Sequence, residues 1–421
     1  MNDNWLKRSM VIRMIAIAAL TVALLVPSFM VMEIIKEREH SRDSATLEVG
    51  EKWGQQQVIA GPILTLPYRR IVREEKGTTR EIVEHAQILP ESLAISVDAK
   101  PEVRYRGIYQ IVLYNAEMHV NGKLSMDALH ALNIKNEDVL WNEAVLSFGI
   151  SDLKGIKKTI NVKWDGRDFT AEPGVAGTSS LISGVSIQPA LSAEHSAHTF
   201  SVDINLNGSG ELQFVPFGKE TVARIASPWA TPSFIGRFLP DTRDVQPSGF
   251  HAEWKVLHLN RNFPQQWIAE RLPGKGDMAN IETSAFGVRL LLPVDEYQQT
   301  MRSAKYAIIF IALTFLSVFL TEVLNKKIVH PVQYALVGFA LVLFYSLLLS
   351  LSEQMPFSAA YALSSMAIVL LVGGYTRSIL GSMRFAGIIA GVLFLLYAFL
   401  FVILQQEDFA TASPSWRGAL A

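Results

Sequence analysis

The stretch Ala307-Ile308-Ile309-Phe310-Ile311-Ala312-Leu313-Thr314-Phe315-Leu316-Ser317-Val318-Phe319-Leu320 decides the fold class. No charge interrupts it, and the apolar run continues to Leu324 with Glu322 as its one ionisable group. A bilayer core takes about 20 apolar residues as a helix. Lipid offers no partner to backbone N–H and C=O groups, and a helix pairs them within one segment. The stretch therefore reads as a membrane span. Toward the C-terminus, residues 332–351, 357–375 and 385–404 have the same character, each free of charge in its middle. Toward the N-terminus, residues 10–32 also qualify, with Arg13 the one charge near the start.

A cleavable leader is the rival reading of the first span. Its apolar core would run to about 7–15 residues and end in small residues at the cleavage point. Here the run is longer and leads into Met30-Val31-Met32-Glu33-Ile34-Ile35-Lys36, with no small-residue site. The span is expected to stay as an anchor, with a bend at Pro27, which membrane helices tolerate. Lys7 and Arg8 precede it, Lys326 and Lys327 follow the second span, and Arg377 and Arg384 separate the fourth from the fifth. The alternate loops carry Glu353, then Glu407 and Asp408. Basic loops stay in the cytoplasm. This places residues 1–9 inside, residues 33–304 outside in the periplasm, spans two to five across residues 305–404, and the tail from residue 405 outside.

Charge is scarce overall, 18% of residues against about a quarter in soluble domains. The deficit lies in the flanks, while residues 33–302 are charged normally, so a water-soluble domain sits between apolar blocks. Residues 33–53 are rich in helix formers and extend the first span. After Val58 the period becomes two. Phe200, Val202, Ile204 and Leu206 alternate with Ser201, Asp203 and Asn205, as in a half-buried strand. Asn207-Gly208-Ser209-Gly210 reads as a turn, with a strand returning over residues 212–217. Ile160, Val162 and Trp164 alternate up to Asp165-Gly166, a hairpin signal. Phe250, Ala252, Trp254 and Val256 mark another strand. Short strands punctuated by turns predict an antiparallel, sandwich-like β domain. The Gly/Ser-rich stretch near residues 173–186 is expected to divide the domain into a pair of β-subdomains. Short helices are expected near residues 125–132 and 263–271. The whole is thus an α+β membrane protein: one N-terminal transmembrane helix, a β-rich periplasmic domain and a C-terminal bundle of four transmembrane helices.

The residues that carry chemistry are sparse. A net charge of −1 without a basic run forecasts no nucleic-acid partner. The lack of cysteine excludes zinc ribbons, iron–sulfur clusters and thiol nucleophiles. No nucleophile elbow, H-E-x-x-H, phosphate loop or dinucleotide fingerprint occurs, so no catalytic residue, cofactor or metal is assigned. His195 and His198 would pair on a metal if a helix carried them, but they precede a strand and read as solvated loop histidines. Asp152, Asp165 and Asp168 fit turn chemistry. Glu322, His330 and Glu353 fall at helix ends, in or near water, and the membrane interior offers only hydroxyls such as Thr314, Ser317 and Ser346. Gly387 and Gly391 have the spacing that permits close helix packing. The remaining unusual segment is Pro228-Trp229-Ala230-Thr231-Pro232-Ser233-Phe234-Ile235-Gly236-Arg237-Phe238-Leu239-Pro240. Trp229, Phe234 and Phe238 are its candidate interaction surface; the alternative is a buried loop that closes one end of the sandwich.

Several stretches together carry a resemblance. They are Ser147-Phe148-Gly149-Ile150-Ser151-Asp152-Leu153-Lys154-Gly155-Ile156, residues 232–240, Ser248-Gly249-Phe250-His251-Ala252-Glu253-Trp254, residues 305–315 and residues 330–338. In this order they resemble the CreD family of bacterial inner-membrane proteins associated with cell-envelope integrity, from the first span to about Asp408. The resemblance implies a Gram-negative inner membrane, a periplasmic central domain and a link to envelope stress under a two-component regulator. It brings no catalytic residues. The family also implies a sixth hydrophobic helix after Gln405-Gln406-Glu407-Asp408, where this chain continues in polar and small residues, so its tail is expected to be truncated relative to the family.

The leading functional expectation is a non-enzymatic protein that supports envelope integrity and stress tolerance through periplasmic binding or sensing. Its partners would be the lipid bilayer and an envelope component or another membrane protein. The alternatives are a transporter subunit or a periplasmic hydrolase of envelope polymers, which needs a carboxylate pair in a cleft.

Overall fold

The computed structural model describes residues 10–73, 79–176, 181, 183–271, 281, 283–290, 292, 296–325 and 329–412. Lys7, Arg8, Lys326 and Lys327, which carry some of the charge pattern, lie outside the described residues, as does the tail from residue 413. The chain divides into two compact units, residues 1–43 with 294–421, and residues 44–293.

The first unit is helical. Helix α1 spans Met10–Ala23 and α2 spans Leu25–Trp53. The interruption between them has a local cause: Pro27 has no N–H to give to the Ala23 carbonyl four residues back. The short α3 (Asp127–Ala131), near the expected position, belongs to the second unit. After another short helix, α4 (Glu296–Lys305), come α5 (Ala307–Asn325), α6 (Pro331–Ser352), α7 (Phe357–Leu380) and α8 (Met383–Ala412). Counting 10–53 as one, five of these helices are long and apolar enough to cross a membrane. His330 starts α6 by accepting the Val332 N–H on its ring, with Pro331 in the first turn. Gly381, at φ 62°, ends α7.

Packing inside this unit centres on Phe344. Its ring centroid lies 5.0 Å from Tyr345, 5.4 Å from Tyr361 and 4.5 Å from Tyr397. The Tyr361 hydroxyl donates to the Tyr397 carbonyl at 2.9 Å, which satisfies a polar group amid apolar neighbours. Close helix approach occurs at Gly338, where an added Cβ would come within 2.1 Å of Leu24. Nothing stands within 4 Å of a Cβ built on Gly387 or Gly391, so the expected close-packing pair is not one.

The second unit is a two-sheet sandwich. One sheet has nine strands, in the order β13 (Pro232–Gly236), β17 (Phe286–Leu290), β11 (Glu211–Phe214), β1 (Gln57–Arg73), β5 (Val145–Ile150), β9 (Gly184–Ile187) and β8 (Glu172–Pro173). Strands β2 (Thr79–Ile88) and β16 (Gln266–Ile268) branch from β1. The other sheet runs β14 (Thr242–Gln246), β15 (Gly249–Leu257), β12 (Glu220–Ser227), β3 (Ser92–Arg106), β4 (Tyr109–Ser125), β10 (Ala197–Ser209), β6 (Asn161–Trp164) and β7 (Arg167–Thr170). Their inner faces meet in one core, where Phe148 lies 6.1 Å from Phe200 and Trp254 lies 5.6 Å from Phe286.

The alternating segments fold as their period demands. Phe200, Val202, Ile204 and Leu206 of β10 are buried. Asp165 and Gly166, at φ 45° and 82°, make the mirror-image turn that joins β6 to β7. Four expectations are corrected. The sheets are not wholly antiparallel, because β1 pairs β11 and β12 pairs β3 in parallel. The turn near Gly210 is no hairpin; there the chain leaves β10 in one sheet for β11 in the other. Residues 266–268 form a strand where a helix was expected. Strands β8 and β9 pair with each other in one sheet, and Val185 and Ile187 of β9 lie in the one core, so the stretch between them links strands of one sheet and separates no subdomains. Residues 177–180 and 182 within it lie outside the described residues.

Candidate functional site

A cleft of about 390 Å³ opens on the β domain, lined by Asp98, Ala226, Ser227, Pro228, Asp244, Gln246, Ser248, Gly249, Phe250 and His251. Strand register explains it. Asp98 of β3 is opposite Ala226 of β12, Ala226 is opposite His251 of β15, and His251 is opposite Asp244 of β14. The four side chains form one row across the outer face of the eight-stranded sheet, and the small Ala226 makes a notch in it. One pleat along the same face, Arg224 donates to Glu253 at 2.9 and 3.3 Å. The Arg224 hydrogen bond holds the Glu253 carboxyl below its ordinary pKa. Gly249 closes the far end at φ 143°, and a Cβ there would lie 2.3 Å from the Ser227 carbonyl, so only glycine admits this approach.

The row also limits the chemistry. Three strand spacings of about 4.8 Å put the Asp98 and Asp244 backbones roughly 14 Å apart. Glycosidase carboxylates stand about 5–9.5 Å apart, a spacing narrower than that of these two backbones. Asp98 contacts Lys100 at 3.6 Å, and Asp244 accepts the Gln246 amide at 2.9 Å.

The segment flagged in the sequence adjoins the cleft through Pro228. Trp229, Phe234 and Phe238 are half-buried against the core. Phe234 lies edge-on to Phe250 and Trp254, at 6.0 and 5.7 Å, and Phe238 edge-on to Phe286 at 6.0 Å. The Trp254 indole N–H donates to the Phe238 carbonyl at 3.1 Å. Residues 232–236 form an edge strand, the one sheet position that suits its proline. Exposure within the segment falls on Pro228, Ala230, Gly236, Arg237 and Leu239.

His198 is not a solvated loop residue. It belongs to β10, is 3% exposed, stacks on Trp164 at 5.0 Å and meets Asp165 through Nδ1 at 2.5 Å. His195 is exposed and meets Ser192 at 3.2 Å. The carboxylate and the serine thus serve different histidines, and the two contacts do not join into a proton relay of the Ser–His–Asp kind. Among the described residues, no three His, Asp or Glu side chains converge as a metal site.

The helical unit holds a feature that the sequence concealed. Glu322 is 1% exposed, not in water, and Arg13 of α1 reaches it at 2.6 Å. The Tyr334 hydroxyl of α6 donates to its other oxygen at 2.7 Å. Some of the signal was present: each apolar span contributes one ionisable residue near an end, and alternating spans bring those ends to the same side.

The model of the family described as "Inner membrane protein CreD" matches residues 9–413. The chain belongs to the CreD family. A relative, "Inner membrane protein CreD" of Escherichia coli (strain K12), is 30% identical over 409 residues, which cover 96% of this chain and 89% of the relative. With five apolar helices long enough to span, this CreD-family chain is a multi-pass inner-membrane protein of mixed α+β fold.

Proposed function

We propose that the protein supports cell-envelope integrity and stress tolerance without catalysis, holding its β domain on the periplasmic side, where the cleft binds a component of the envelope. The bilayer and that component are its partners; no nucleic acid and no cofactor enter. The observation that carries this proposal is the cleft, a concave polar surface on the outer face of the eight-stranded sheet. The competing assignment, transport, asks for an intramembrane ionisable group open to a permeating ion. Both Glu322 oxygens are already engaged, by Arg13 and Tyr334.

Ala226→Phe fills the notch from the outer face without entering the core. In a strain lacking the native gene, the variant should accumulate and melt like the wild type yet fail to restore survival under envelope stress. Full survival with the notch filled would contradict the proposal.

A further inference from the structure

His198 keeps one ring nitrogen in reserve. The residue is 3% exposed at the start of β10, opposite Leu124 of β4. Its Nδ1 meets the Asp165 carboxylate at 2.5 Å. The backbone N–H and the hydroxyl of Thr199 both donate to the other Asp165 oxygen, at 2.7 and 3.2 Å, which fixes the carboxylate. An ionised carboxylate only accepts, so Nδ1 holds the ring proton and Nε2 presents a lone pair. That nitrogen is buried and meets no hydrogen-bond partner among the described residues. A buried acceptor left unpaired costs free energy, and a ligand that takes the lone pair removes the cost.

The surroundings of the ring select the ligand. Nδ1 faces Asp165 in the turn between β6 and β7, so Nε2 lies on the ring edge turned away from that carboxylate. Trp164 stacks on the ring at 5.0 Å. A second imidazole, His195 in the connection that enters β10, stands with its ring centre 6.0 Å away and its plane tilted by 42°. Its Nδ1 meets the Ser192 hydroxyl, an oxygen able to accept, which leaves Nε2 of this ring for a ligand as well. A zinc ion lies about 2.0–2.1 Å from each ligating nitrogen, so imidazoles that share one hold their centres roughly 5–6 Å apart. Ligating histidines also give their other N–H to a carboxylate or a similar oxygen, the arrangement both rings have here. We propose that His195 and His198 bind one transition-metal ion of the zinc class through their Nε2 atoms, with water completing its coordination. Imidazole suits such ions, whereas magnesium and calcium take oxygen ligands. The ion ties the connection between β9 and β10 to the β6–β7 turn, and its binding free energy adds to the stability of the fold. None of the residues that line the cleft takes part.

Zinc chloride is the probe, titrated calorimetrically into the full-length protein without a histidine tag, stripped by chelator and held in nonionic detergent at neutral pH. One saturable zinc ion per chain is expected, with a rise in Tm, and magnesium chloride should produce neither. His195→Ala, at an exposed position, should melt like the wild type without metal, bind zinc more than about tenfold more weakly and lose the rise in Tm. Asp165→Asn keeps a residue type that accepts the positive φ of this turn and removes the carboxylate behind His198, so its zinc affinity should fall by about 10–100-fold. His119→Ala, which removes an exposed histidine that pairs with Asp203, should bind zinc as the wild type does. No saturable binding by the wild type would assign the buried nitrogen to a water and overturn the proposal. Equal zinc binding in the His195→Ala protein, or an equal response to magnesium, would overturn it as well.

Discussion

Arg261 is buried in the β domain, 5% exposed, and its guanidinium donates to neutral oxygens. The acceptors are the carbonyls of Phe217, Phe263 and Pro264 at 3.2–3.3 Å and the Gln265 side chain, whose amide reaches the Pro90 carbonyl at 2.6 Å. Burial pushes its pKa down to about 10. The guanidinium thus supplies donors to carbonyls that no strand pairs. Arg261→Met keeps the length and removes the donors, and should cost on the order of 3 kcal/mol, measured as a lower Tm of the purified protein. Nothing in Asn260-Arg261-Asn262 announces this, because a polar run reads as surface. Phe234 and Phe238 pose the opposite case. Their aromatic character is plain in the sequence, but whether they face a partner or the core depends on what lies beneath. The contacts with Phe250, Trp254 and Phe286 give them a packing role. Alanine at either should lower Tm by an amount equivalent to about 2 kcal/mol, below the 3–5 of a fully buried ring, with abundance falling in step. An unchanged Tm with lost survival would return these rings to a partner contact.

At the scale of elements, hydropathy and alternation place spans and strands well, because each depends on residues close in the chain. What they pair with is not local. A window finds residues 10–32 and 307–324 as spans but carries no information on which faces meet, so Arg13 reads only as a charge near a span's start and Glu322 as an end residue in or near water. The parallel pairings of β1 with β11 and β3 with β12 hide for the same reason, and so does the cleft, whose row joins residues from four strands. The ion pair yields a direct test. Removing one partner of a buried pair strands the other charge and costs about 3–5 kcal/mol, so Arg13→Ala and Glu322→Ala should each reduce the membrane level and Tm of the protein. The exchange Arg13→Glu with Glu322→Arg should recover much of that loss. An exchange no better than the worse single variant would show that the two helices do not rely on this pair.

For the whole molecule, the proposed function depends on which side of the membrane holds the β domain. The order of apolar and polar blocks and the placing of basic loops make a definite arrangement readable from sequence. The chain has no cysteine, so every introduced one is unique. Three exposed or half-exposed positions report on the two sides of the membrane: Asp168 in the β domain, Gln354 after α6 and Ser382 between α7 and α8. The decisive measurement is labelling of Asp168→Cys, Gln354→Cys and Ser382→Cys with a membrane-impermeant thiol reagent in intact spheroplasts and again after permeabilisation. The first two should label in intact spheroplasts and Ser382→Cys only after permeabilisation. Labelling of Ser382→Cys in intact spheroplasts, with Asp168→Cys protected until permeabilisation, would put the β domain in the cytoplasm and contradict the account.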